Sequence, residues 1–274
     1  MEKKIAYILG GLLLVFLLAA CGEDNNAAGN NDPEPDKEPT VDTVEDGYFT
    51  FGSSGLYKPF NYESLDGDAT GFEVELGKAV AKEMGLKPKP VFTQDFGALI
   101  EEVNSDRLDA IMGSMAITEE RAESVDFSEP YYRSGGVIYV HNDTDDIDTV
   151  EDLEGKNVGV VASSTYESVV LDYVSEDDLS TYQSDNVALE DLSAGTDRLD
   201  AVVTDKFVGM LQIDENDLDI HPVGDRLFDE EIGAAVKKDN DDMLDEINRA
   251  LQVVIDDGTY EELSEKWFDE NILD

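Results

Sequence analysis

The chain has 274 residues, 65 of them acidic and 19 basic, with a formal net charge of −46. That charge excludes nucleic acid as a partner, because phosphate binding needs a basic footprint, and it disfavours broad contact with anionic lipid. At 41% hydrophobic the chain can still build a core, as one large domain or two lobes, and the acidic exterior fits a halophilic or alkaliphilic setting.

The N-terminus reads as a targeting segment, residues 1–20. Glu2-Lys3-Lys4 is a short basic region and Ile5 to Ala20 an apolar run too short for a comfortable membrane span. Leu18-Ala19-Ala20-Cys21 resembles a bacterial lipobox, which implies cleavage before Cys21 and lipid attachment to its sulfur. No cysteine then remains for a disulfide. Gly22 to Asp46, rich in Asn, Asp, Glu and Pro, reads with Cys21 as an acidic tether, residues 21–46.

Order is expected from Gly47. Tyr48 to Gly52 alternates like a strand, Pro59 excludes helix around Lys58, and Asp66-Gly67-Asp68 reads as a hairpin turn. Gly71 to Met84 is a helix with Phe72, Leu76, Ala79, Val80 and Met84 on one face. Val91-Phe92 is a short strand, and Asp95 can cap a helix carrying Phe96, Leu99, Ile100 and Val103. Leu108 to Met112 is an apolar strand that turns at Gly113 and enters a helix capped by Thr118. Strand, helix and strand in alternation mean parallel βαβ units. Gly135 to Val140 is a further strand, after which the pattern restarts. Expected next are strand Asn157 to Val161, helix Tyr166 to Tyr173, a strand near Tyr182, helix Val187 to Leu192 and strand Leu199 to Val203. Phe207 to Leu211 is left as helix or loop. Strand Ile232 to Val236, helix Asp241 to Asp256 and a last helix capped by Thr259 close the chain.

Arg121 stands out. A cation in a first helical turn opposes the helix dipole, and a capping box would place Glu or Gln there. The strand end, turn and helix start around it form a ready anion site. The plain alternative is a surface arginine paired with Glu119 or Glu123. A second observation bears on it: Asp106-Arg107-Leu108-Asp109-Ala110 recurs as Asp197-Arg198-Leu199-Asp200-Ala201. Each copy leads a buried strand toward a polar turn, which suggests two related lobes facing each other across a cleft.

Several segments together resemble the family 3 extracellular solute-binding proteins of ABC importers, which bind polar amino acids. They are Tyr57-Lys58-Pro59-Phe60, GFEVELGKAVAKEMG from Gly71, SMAITEER from Ser114, VDFSEPYY from Val125, DLEGKNVGVV from Asp152, DRLDAVVTD from Asp197 and DDGTYEELSEKWF from Asp256. The resemblance implies an α/β, two-lobed, periplasmic-binding-protein-like (type II) fold with a ligand cleft between the lobes. Lobe 1 is expected to be discontinuous, 47–134 plus 232–274, and lobe 2 to span 135–231. Crossovers would lie near Tyr132 to Val140 and Gly224 to Gly233.

Carried over position by position, the resemblance puts Arg121 on the ligand's α-carboxylate, helped by the backbone N–H of Ala116 and Thr165. Ser114 and Asp205 would hold the α-ammonium, and Tyr57 and Phe96 would flank the side chain. Phe96 also fits a core position. Ser54 stands where several relatives carry an acid, which disfavours a basic ligand unless another acid substitutes. The implied protein is a monomer, lipid-anchored through Cys21 at the extracytoplasmic face of the membrane, delivering an amino acid to an ABC permease. A ligand-sensing module of a signalling receptor and a lyase or dehydratase on the same scaffold are the alternatives. His141 and His221 read as surface residues, and no zinc-ligand spacing, cofactor motif or catalytic triad is present.

Overall fold

The computed structural model describes residues 41–273. The leader, Cys21 and most of the tether lie outside the described residues. β1 (Tyr48–Ser53) leads into a small antiparallel meander, β2 (Leu56–Tyr57), β3 (Asn61–Glu63) and β4 (Ala69–Thr70), with the expected turn between the last two. Then come α1 (Phe72–Glu83), β5 (Lys87–Phe92), α2 (Leu99–Asn104), β6 (Ala110–Ile111), α3 (Glu119–Ala122) and β7 (Val125–Phe127). The chain next runs through β8 (Tyr132–Ser134) into β9 (Gly136–His141). β10 (Val158–Val161), α4 (Thr165–Val170), β11 (Leu179–Tyr182), α5 (Asp185–Ser193), β12 (Ala201–Asp205), α6 (Lys206–Asn216) and β13 (Ile220–Val223) follow. It ends with β14 (Glu230–Ile232), β15 (Ala235–Lys237), α7 (Asp241–Asp256) and α8 (Thr259–Phe268).

These elements build two five-stranded sheets. The first has the order β5-β1-β6-β15-β7 and the second β11-β10-β12-β9-β13. In each, three parallel strands from βαβ units meet two strands from the chain's crossings, which pair antiparallel. The passage out through β8 and the passage back through β14 pair with each other, Tyr132 opposite Ile232 and Ser134 opposite Glu230. This two-stranded ladder joins two α/β lobes, and the ends of β6 and β10 face the gap between them.

Each lobe has its own core. In the first, Phe49 and Phe51 of β1 pack with Phe72, Leu76 and Val80 of α1 and with Met243, Ile247, Leu251 and Val254 of α7. Burying each of these side chains contributes roughly 1.5–3 kcal/mol, which explains why the C-terminal helices return to the first sheet. The other face of that sheet buries Leu99, Val103, Leu108, Ile111 and Val125. In the second lobe Ile138, Val140, Val158, Val160 and Val203 cover one face, and Tyr139, Leu189, Leu192 and Val202 the other.

Several local expectations are corrected. Asp95 starts no helix: it accepts a bond from the Gly97 N–H at 3.0 Å, and the helix begins only at Leu99. β5 is longer than expected because Pro88 and Pro90 are tolerated on a sheet edge. Ile232 to Val236 is split into β14 and β15, where the chain leaves the ladder for the first sheet. The segment at Phe207 is a full helix, α6. The last helix is capped at Gly258 (φ 87°), with Thr259 already inside it.

Candidate functional site

A cleft between the lobes is lined from the first lobe by Ser54, Leu56, Tyr57, Phe96, Gly113, Ser114 and Arg121. The second lobe contributes Thr165 and Tyr166 at the start of α4, and Ser184 and Asp185 at the start of α5, with Glu230 of the ladder closing one side. The lobes touch across it. The Arg121 guanidinium donates to the Ala116 carbonyl of its own lobe (3.0 Å) and to the Ser163 carbonyl of the other (3.1 Å). The phenols of Tyr57 and Tyr166 approach each other across the gap. Outside the cleft, Phe207 packs against Phe60 and Phe268, and Lys58 pairs with Glu215.

Arg121 sits in the four-residue helix α3, whose N-cap Thr118 accepts from the Arg121 N–H at 3.2 Å. Its Cζ lies 5.4 Å from the centre of the Phe96 ring, a cation–π contact. Burial pulls the guanidinium below its usual pKa, and Glu230, Glu120 and Tyr166 counter this. It forms no ion pair among the described residues, so its fork remains suited to a carboxylate. The surface pairing with Glu119 or Glu123 does not form.

The turn that holds Ser114 is tightly made. A Cβ on Gly113 would stand 2.7 Å from the Cβ of Ser53, so only glycine lets these strand ends approach. Ser114 itself adopts φ 58°, rare for a residue with a side chain. Its partner is Glu73, fully buried in the first turn of α1. The Ser114 N–H and hydroxyl donate to Glu73 at 2.6 and 2.8 Å, and Tyr131 and Asn61 add donors at 2.5 and 2.8 Å. Burial still raises the Glu73 pKa. The Ser114 hydroxyl proton is thus committed to Glu73, with the Tyr132 phenol close by.

On the opposite wall the Thr165 hydroxyl donates to Glu230, with the Tyr166 phenol near the same carboxylate. Burial raises the pKa of Glu230, and Arg121 pulls it back. Ser163 (φ 62°) gives the second turn the same left-handed backbone as Ser114.

The structure brings together Arg121, Ser114, Thr165, Tyr57 and Phe96. Tyr57 stacks on Phe60 with centroids 5.4 Å apart, and Phe96 both lines the cleft and packs on the core. Ala116 lines an adjoining outer hollow rather than the cleft itself. Asp205 stands behind the wall, 1% exposed and not among the lining residues. It is the N-cap of α6, accepting from the N–H groups of Phe207 (2.7 Å) and Val208 (3.4 Å), while its second oxygen accepts from the Ser134 hydroxyl. Burial pushes its pKa up to about 7. Residues not foreseen are Glu73, Tyr166, Asp185 and Glu230. A Glu buried in a helix's first turn is visible only once the fold is known, and Asp185 and Glu230 are hidden among 65 acids.

Two α/β lobes joined by a two-stranded ladder, with polar turns from both facing one gap, define a protein that encloses a small ligand. The chain belongs to the bacterial extracellular solute-binding proteins, family 3, whose pattern matches residues 49–270. It is similar to the L-cystine-binding protein TcyJ of Escherichia coli strain K12, 33% identical over 225 residues, 82% of this chain and 84% of that protein. It is also 33% identical to the probable amino-acid-binding protein YxeM of Bacillus subtilis over 276 residues, 99% of this chain and 97% of the relative. Among solved structures, an ancestral arginine-binding protein bound to glutamine superposes with a TM-score of 0.77 at 36% identity, covering 82% of this chain and all of the other. Its relatives are thus amino-acid-binding proteins of ABC transporters.

Proposed function

We propose that this protein is the lipid-anchored binding component of an ABC importer that captures a polar amino acid between its lobes and delivers it to a membrane permease. The observation that carries the reading is Arg121: a guanidinium without a carboxylate partner among the described residues, lining a cleft between two lobes and reaching toward both. The α-carboxylate would dock on its fork and on the N–H groups of Thr165 and Ala116. Neither N–H has a protein acceptor among the described residues. The α-ammonium would take the Ser114 hydroxyl and Asp205, whose second oxygen is held by the Ser134 hydroxyl alone and can share or exchange that bond. Tyr57 and Phe96 would flank the side chain. Ligand touching both lobes favours the closed arrangement by its differential affinity.

The lobes are proposed as 47–134 plus 232–274 and 135–231. The chain is proposed to act as a monomer at the extracytoplasmic face, anchored through Cys21 by a flexible tether, with an exterior suited to high salt or alkaline medium. It is read as a binding protein and not an enzyme. A thermal-shift screen of the common amino acids tests the reading. Ligand at one hundred times its Kd should stabilise the protein by about 2.7 kcal/mol, and no shift with any amino acid would refute the proposal.

A further inference from the structure

We propose that Asp185 is the specificity-determining residue of the cleft, receiving a cationic group, ammonium or guanidinium, at the far end of the ligand's side chain. This rests on the amino-acid reading above. The cleft has two ends. Arg121, Ser164, Thr165 and Glu230 also border the outer hollow, whereas Leu56 and Ser184 also border a second hollow that contains Asn186. Asp185 lines the cleft and not the outer hollow that Arg121 borders, and it follows Ser184, which borders the second hollow.

Its surroundings are those of an acceptor awaiting a donor. Asp185 is 3% exposed, yet no Lys or Arg pairs with it among the described residues. Oδ1 accepts from the Thr204 hydroxyl, and Oδ2 takes no side-chain donor. One residue on, the Oδ1 of Asn186, a residue of the second hollow, is buried and has no hydrogen-bond donor among the described residues. A carboxylate buried in a cleft with no cation to answer its charge is costly unless a ligand supplies one. The phenols of Tyr57 and Tyr166, which line the same cleft, feel the Asp185 charge.

Counting charges gives the class. Arg121 answers the α-carboxylate and Asp205 the α-ammonium, with Glu230 facing Arg121. Asp185 is then left over. A neutral side chain leaves it uncompensated, an acidic one is repelled, and a cationic one pairs with it. Ser54, neutral and bonded to Asn61, supplies no competing acid. Asp185 is the substitute acid that a basic ligand requires.

The test is calorimetric titration of wild type and Asp185→Asn with L-arginine and L-lysine, and with L-citrulline and L-norleucine as neutral counterparts. Asn keeps the oxygen that accepts from Thr204. The expected result is that a cationic probe binds wild type at least tenfold more tightly than the neutral ones, and that Asp185→Asn removes most of this preference. Equal binding of cationic and neutral probes by wild type, or an unchanged preference in the variant, overturns the proposal and leaves the amino-acid reading standing. Failure of wild type to bind any common amino acid overturns both. Should the variant not fold, the wild-type ratio of L-arginine to L-citrulline decides alone, since the two differ chiefly in charge.

Discussion

Replacing Arg121 with Ala separates the two tasks assigned to this side chain. As the proposed partner of the ligand's carboxylate, it forms a buried, charge-assisted pair, and truncating one member of such a pair costs about 2–5 kcal/mol. At about 1.4 kcal/mol per decade, Kd should rise by roughly 30-fold to several thousand-fold. Its second task is structural. The bond to the Ser163 carbonyl spans the lobes, so its loss weakens the closed arrangement by about 0.5–3 kcal/mol. The fold should survive, because α3 is four residues long and contributes no buried residue. Arg121→Lys keeps the charge but not the planar fork, and its Kd should fall between the two. Titration calorimetry measures affinity, and small-angle scattering with and without ligand measures closure. An Arg121→Ala protein that melts normally and binds within threefold of wild type would refute the assignment of the carboxylate to Arg121.

Four further outcomes are expected. Burial raises Asp205 from 3.8 to about 7 and Asp185 from 3.8 to about 6. Between these values the folded protein binds more protons than the unfolded one, so ligand-free stability falls as pH rises through that window, for Asp205 by roughly 4 kcal/mol; Asp205→Asn should flatten the slope of Tm against pH between about 4 and 7, and parallel slopes would count against this. Raising sodium chloride from about 0.1 to 1 M shortens the Debye length from about 10 to 3 Å, so Tm should climb as the −46 charge is screened; a salt-independent Tm would contradict the view that self-repulsion limits stability. Ile247→Ala, at a fully buried position of α7, should cost about 2–5 kcal/mol in denaturant unfolding; a loss below 1 kcal/mol would mean that α7 does not close the first core. Cys21→Ala should release the protein from membranes to the soluble fraction in cell fractionation, and retention would refute the anchor.

Much of the frame was legible because it rests on period and punctuation. The stripe Met243, Ile247, Leu251, Val254 marks α7 by spacing alone, and the repeated Asp-Arg-Leu-Asp-Ala points to two lobes without reference to either sheet. Arg121 was visible as a breach of helix-capping rules. What stayed hidden depends on contacts distant in sequence. The ladder of β8 with β14 joins residues about 100 positions apart, and no local pattern records it. The short strands of the meander, two or three residues each, carry too little periodicity to read. Asp185 could not be told from other acids until the fold placed it in the cleft without a cation. Asp205 is legible as a cap, since Thr204-Asp205-Lys206 stands where a strand passes into a helix, and one of its oxygens caps α6 in the structure.

The central claim is that an amino acid sits between the lobes with its carboxylate on Arg121. A crystal structure of the protein grown with an amino acid that shifts its melting temperature tests this most directly. The account predicts density in the cleft bounded by Tyr57, Ser114, Arg121 and Thr165, with the carboxylate oxygens within about 3 Å of the guanidinium. A ligand bound elsewhere, or bound in the cleft with its carboxylate turned away from Arg121, would contradict it.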